Sequence, residues 1–142
     1  MDLPAFDLSD FLPYQLAVAS ARVSRALALR YQAAFGLTIP EWRVLAHMAK
    51  GEVLSVKDIT DRVDMDKSKV SRAASRLEGA GLVAKTAHPA DGRLIALTLT
   101  DHGRAVMADL IPMARAFESE VLADLGVTAM PLKQSLQRLI VR

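Results

Sequence analysis

The chain has 142 residues, 51% of them apolar and 24% charged, with a formal net charge of +2. This length and apolar content suit one domain over residues 1–142 and exclude a disordered tail. The absence of cysteine excludes a disulfide framework, a thiolate zinc site and a thiol redox switch. No apolar run reaches the roughly 18 residues of a membrane span, and the opening MDLPAFDLSD is acidic where a signal peptide would be basic, so a cytoplasmic protein without a membrane partner is expected.

The apolar periodicity is mostly helical, and capping residues mark the boundaries. A first helix is expected over about 10–35, with Pro13 in its first turn and Gly36 as its stop. Thr38 stands three residues before Glu41 in capping-box spacing, so a second helix carries Val44, Leu45 and Met48 to about Lys50. Ser55 and Asp58 repeat that spacing ahead of a short third helix over 56–63, with Val56, Ile59 and Val63 on one face. Asp66 is a good N-cap for a fourth helix to about Ala80, and Gly81 can take the left-handed conformation that ends it.

At about 100° per residue, Val70, Ala73, Ala74 and Leu77 of the fourth helix share one arc. Lys69, Arg72 and Arg76 gather on a neighbouring arc beside Ser68, Ser71 and Ser75. The apolar arc should pack on the third helix and leave the polar arc outward, with donors suited to phosphate oxygens and guanine edges. A merely solvated face is the alternative. Two runs rich in apolar and β-branched residues follow, 82–87 and 94–99, separated by His88-Pro-Ala-Asp-Gly-Arg93. Asp-Gly is a hairpin signal because glycine accepts positive φ, which predicts an antiparallel pair with Arg93 at its tip. Such an arginine, oriented by Asp91, can enter an adjacent minor groove, although an ordinary surface ion pair would look the same in sequence.

Two short helices, a tight joint and a basic hairpin define a winged helix-turn-helix over 38–99. From Lys67 to Arg93, six basic residues (Lys67, Lys69, Arg72, Arg76, Lys85, Arg93) face two acidic ones (Glu78, Asp91), a local excess of +4. Double-stranded DNA is therefore the first partner to consider. The candidate DNA-binding residues are Ser55, Lys67, Ser68, Lys69, Ser71, Arg72, Arg76, Lys85, Asp91 and Arg93. The alternative is a winged-helix adaptor that uses this face for protein contacts.

After the wing, Thr100 can cap a long helix over about 101–125, and Thr128 with Pro131 can open another in which Leu132, Leu136, Leu139 and Ile140 share a face. With Leu12, Leu16, Val23 and Leu27, these residues could form a dimer layer or the core of a larger monomer. The fold class expected is mainly α with a small β-hairpin wing, flanked by dimerisation helices at 10–35 and 101–142.

From about Leu37 to Gly103 the chain resembles the MarR family of bacterial transcription regulators. The resemblance rests on LTIPEWRVL, on RLEGAGLVAK, and above all on Asp91-Gly-Arg93 leading to Leu99-Thr100 and Gly103. Thr60 departs from the small apolar residue common at its position, and Lys85 from a frequent arginine. The resemblance implies a homodimer reading a palindrome, with recognition helices about 34 Å apart. It further implies a repressor released by a small ligand, often an aromatic acid or a related thioester, held between the dimer layer and the DNA-binding lobe. Tyr14, Arg22, Trp42, Arg43, His47 and Met107 are the candidate pocket residues on that basis. His47, His88 and His102 are isolated, no glycine-rich phosphate loop occurs, and no serine has a recognisable His and acid partner, so neither a metal, a cofactor nor an enzyme is expected.

Overall fold

Local capping sets most of the helix boundaries in the computed structural model, which describes residues 1–62 and 65–141. A 3-10 turn, Leu8–Asp10, is capped by the Asp7 side chain and leads into α1 (Leu12–Phe35), which has Pro13 in its first turn. α1 ends where Gly36 takes φ +67 and its N–H bonds the Gln32 carbonyl. The next helix, α2 (Ile39–His47), begins with the anticipated capping box. The Thr38 N–H donates to Glu41 Oε2 at 2.9 Å, and the Glu41 N–H donates back to Thr38 Oγ1 at 3.4 Å. It ends at His47, short of the expected Lys50, and the chain turns through residues 48–50.

A two-residue strand, β1 (Leu54–Ser55), precedes α3 (Val56–Arg62). The Asp66 side chain accepts from the Lys69 N–H and opens α4 (Lys67–Gly79). Gly81, at φ +76, then reverses the chain, with its N–H bonded to the Glu78 carbonyl and the Leu82 N–H bonded to the Leu77 carbonyl. Strands β2 (Val83–Ala87) and β3 (Ile95–Leu99) pair from Val83 with Leu99 to Ala87 with Ile95, and β1 adds to the far edge of β3 through Leu54 and Leu97. The sheet is thus three-stranded and antiparallel, in the order β1-β3-β2. β1 was not anticipated, because two residues carry no periodicity. Val63 of the expected third-helix face lies outside the described residues.

The hairpin has its expected position but a different turn. Gly92 is not among the glycines of positive φ. A longer loop is closed by the His88 N–H on the Leu94 carbonyl and by the Leu94 N–H on the Asp91 carbonyl.

Helix α2 packs on α4, and α4 on α3 and β2. Val44, Leu45, Met48, Ile59, Val70 and Leu97 are wholly buried in this lobe. Each such side chain contributes about 1.5–3 kcal/mol relative to exposure. The chain divides into two compact units, Met1–Met107 and Ala108–Arg142.

Helix α5 (Asp101–Leu125) has its expected limits. Its first turn is capped by Thr100, whose Oγ1 accepts from the Gly103 N–H at 3.0 Å while its hydroxyl donates to the Gly81 carbonyl at 2.6 Å. After a 3-10 turn, Gly126–Thr128, the chain forms α6 (Ala129–Ile140). Thr128 does not cap α6 as expected. It adopts helical angles, and its hydroxyl donates backward to the Leu125 carbonyl. Leu132, Leu139 and Ile140 on α6 are exposed, as are Leu12 and Val23 on α1.

Candidate nucleic-acid interface

The amphipathic design of α4 appears in the structure as derived from its spacing. Val70, Ala73, Ala74 and Leu77 are buried, and Lys67, Ser68, Lys69 and Arg72 are exposed. Lys67, Lys69 and Arg72 make no side-chain ion pair with any other described residue. Lys69 and Arg72 lie on the polar arc and Lys67 in the first turn of the helix, and all three are exposed to anions from outside.

The wing presents a second, more constrained cation. Arg93 is 90% exposed at its side chain, yet its Nε and Nη2 donate to the two carboxylate oxygens of Asp91 at 3.0 and 3.1 Å. The Arg93 N–H also donates to Asp91 Oδ1, and these bonds hold the Asp91 carboxyl below the usual carboxylate range while raising the arginine. The guanidinium is thus aimed before any partner arrives, which reduces the rotamer freedom lost on binding.

Between α4, the start of α3 and the wing lies a cleft of about 220 Å³. Ser55, Lys57, Lys67, Ser71, Ser75, Lys85 and Arg93 line it together with apolar groups. A concavity bordered by four cations and three serines suits a phosphate backbone. Lys57 was absent from the sequence candidates. Its signal was an exposed position next to the Ser55 cap, diluted by Asp61, with which it pairs at 3.0 Å.

Three other candidates have partners within the chain. Ser55 is wholly buried, with its Oγ accepting the Asp58 N–H and its own N–H donating to Asp58 Oδ2. Those bonds keep the Asp58 carboxyl below its usual range, and Ser55 caps α3 at the edge of the cleft. Lys85 donates to Ser75 Oγ at 2.9 Å and lies 3.9 Å from Glu78 Oε1, tying the wing to α4. Arg76 donates through Nε to Glu41 Oε1 at 2.9 Å.

The six candidate pocket residues lie on α1, α2 and α5. Trp42 is half-buried and stacks on the buried Tyr31 with centroids 5.7 Å apart. Burial pushes the Tyr31 hydroxyl up to about 12, against an opposing effect of Arg43. His47 Nδ1 donates to the Arg43 carbonyl at 2.7 Å, Met107 is buried, and Tyr14 and Arg22 are exposed on α1. None of the six lines the basic cleft or the larger cleft of about 380 Å³ bounded by Met48, Glu52, Val53, Leu99 and Arg104.

A helix-turn-helix whose second helix bears exposed cations, flanked by a hairpin with a pre-aimed arginine, defines a winged-helix DNA-binding protein. The comparisons place it further. The model of the MarR family matches residues 35–94. HTH-type transcriptional repressor Rv2887 of Mycobacterium tuberculosis is 30% identical over 92% of this chain and 88% of its own length. Several other relatives are spanned over only 47–63% of their length. Among solved structures, the MarR family regulator SPO1453 from Silicibacter pomeroyi superposes with a TM-score of 0.81 at 30% identity, covering 96% of this chain and 97% of that one. The PcaV transcriptional regulator from Streptomyces coelicolor, in complex with its natural ligand, gives 0.75 at 26% identity, covering 97% and 96%. The chain belongs to the MarR family: it is a DNA-binding transcriptional regulator, and its relatives are regulators, not enzymes.

Proposed function

We propose that this regulator is a repressor that binds a palindromic operator as a homodimer in the cytoplasm and leaves it when a small ligand binds. The observation that carries the reading is the cleft shared by α4 and the wing, bordered by Lys57, Lys67, Lys85 and Arg93, which matches a phosphate backbone beside a major groove. Lys67, Ser68, Lys69, Ser71 and Arg72 supply the recognition face. Arg93, held by Asp91, reaches the minor groove, and Lys57 and Lys85 border the backbone track. Repression is supported by the name of the Mycobacterium tuberculosis relative, and ligand control by the ligand-bound PcaV regulator.

Dimerisation is supported by the apolar groups that α1 and α6 expose in the single chain. Leu139 is 42% exposed, so Leu139→Asp removes an interface group without burying a charge in the subunit itself. The variant is expected to remain helical and to migrate near the 15.4 kDa of one chain, where the wild type migrates as two. An unchanged dimer would move the interface off this face of α6.

Release requires only that the ligand prefer the spacing of the two lobes that does not fit DNA, since equal affinity for both forms shifts nothing. The ligand class proposed is an aromatic acid or its thioester, with Tyr14, Arg22, Trp42, Arg43, His47 and Met107 as the residues to vary. The test titrates the protein–operator complex with a panel of such acids and their coenzyme A thioesters. Displacement by one compound identifies the signal, and a complex indifferent to the whole panel rejects this ligand class.

Arg93→Ala is expected to weaken operator binding and to relax the preference for A·T pairs beside the major-groove contacts. Footprints and affinities that match the wild type would reduce the wing to a structural hairpin.

A further inference from the structure

Arg76 lies on the polar arc of the recognition helix, where its charge invites a phosphate role, but its Nε is committed to Glu41 Oε1 at 2.9 Å. Glu41 is only 7% exposed, and its other carboxylate oxygen accepts the Thr38 N–H at 2.9 Å. One carboxylate therefore closes the first turn of α2 and grips α4 across 35 residues of sequence. On its other flank α4 is held by Lys85 of β2, through Ser75 and Glu78.

From this we propose that Glu41 and Arg76 are positioning residues for DNA recognition: they fix the orientation of α4 relative to α2, and Arg76 is not a phosphate contact. The pair also gives the first turn of α2, which carries Trp42 and Arg43, a rigid connection to the helix that reads DNA. A shift of that turn must either move α4 or break a part-buried, charge-assisted bond.

The inference rests on α4 being the recognition helix, and it makes a prediction opposite in sign to simple electrostatics. Removing an acidic group near DNA ordinarily strengthens binding, because the phosphates lose a like charge. If Glu41 instead orients α4, Glu41→Gln weakens operator binding, even though glutamine can still complete a capping box.

The test measures Glu41→Gln, Arg76→Gln and the double variant on a selected operator and on random DNA, over a range of salt. Expected are a loss of about tenfold on the operator for each single variant, a double variant no weaker than either, and little change on random DNA. The slope of log affinity against log salt should stay at the wild-type value in Arg76→Gln. A slope shallower by about one would make Arg76 a phosphate contact and overturn the proposal. Unchanged or tighter binding by Glu41→Gln, with the wild type retaining its operator preference, overturns the positioning role alone. A wild type with no preference for any site overturns the recognition-helix reading and this inference together.

Discussion

Gly103→Ala is expected to lower the free energy of unfolding by about 1–3 kcal/mol, although alanine is ordinarily the better helix former. Gly103 lies in the first turn of α5, where its N–H donates to the capping Thr100 Oγ1. A Cβ at this position would overlap the Leu82 carbonyl oxygen and approach Leu99 Cδ2 at 3.3 Å. That carbonyl is itself fixed, because it accepts the Thr100 N–H at 3.1 Å. The gain of about 1 kcal/mol from replacing a helical glycine is therefore outweighed by displacement of backbone at the junction of α4, β2 and α5. Urea unfolding at fixed protein concentration measures the difference, and an alanine variant as stable as the wild type would show that this junction gives way freely. The same geometry explains the Leu-Thr then Gly motif: the threonine joins Gly81 to α5, and the glycine lets the Leu82 backbone pass.

Arg72→Ala should weaken binding to a selected operator by about 1–3 kcal/mol, with a smaller loss on random DNA. Arg72 is the exposed arginine of α4 whose side chain pairs with no other described residue, and it projects from the middle of the polar arc. Arg76 carries the same charge one turn later but is committed to Glu41, so the two arginines are expected to differ in kind as well as degree. Binding assays on both DNAs separate the possibilities. An equal loss on each moves Arg72 to the phosphate backbone, and no loss on either removes α4 from the interface.

Features governed by local spacing were legible in the sequence. The Thr38–Glu41 capping box, the Asp66 cap, the left-handed Gly81 and the apolar arc of α4 each depend on residues within one or two helical turns. The Asp91–Arg93 pair is local in the same sense. Less legible were features that depend on residues brought together by the fold. β1 exists because Leu54 finds Leu97, and two residues alone carry no strand pattern. Arg76 and Lys85 read as free cations because their partners Glu41 and Ser75 lie 35 and 10 residues away. Ser55 offered a hydroxyl whose burial depends on β1 and its cap. Thr128 and Gly92 were read by residue type, but the backbone around each took another course: a continuous helical path at Thr128 and a longer, non-left-handed loop at Gly92. The candidate pocket residues came from resemblance rather than from a spacing signal, and neither the basic cleft nor the larger one is lined by any of them.

The most direct test of the central claim is selection of DNA from a random-sequence pool by the purified full chain, followed by affinity measurements between about 50 and about 200 mM salt. Enrichment is expected of an inverted repeat whose half-sites lie one helical turn, about 34 Å, or a multiple apart. Affinity for that site should exceed affinity for random DNA by about 10³-fold or more and fall steeply with salt. A pool that yields no enriched sequence, with binding that is weak and indifferent to salt, would contradict it.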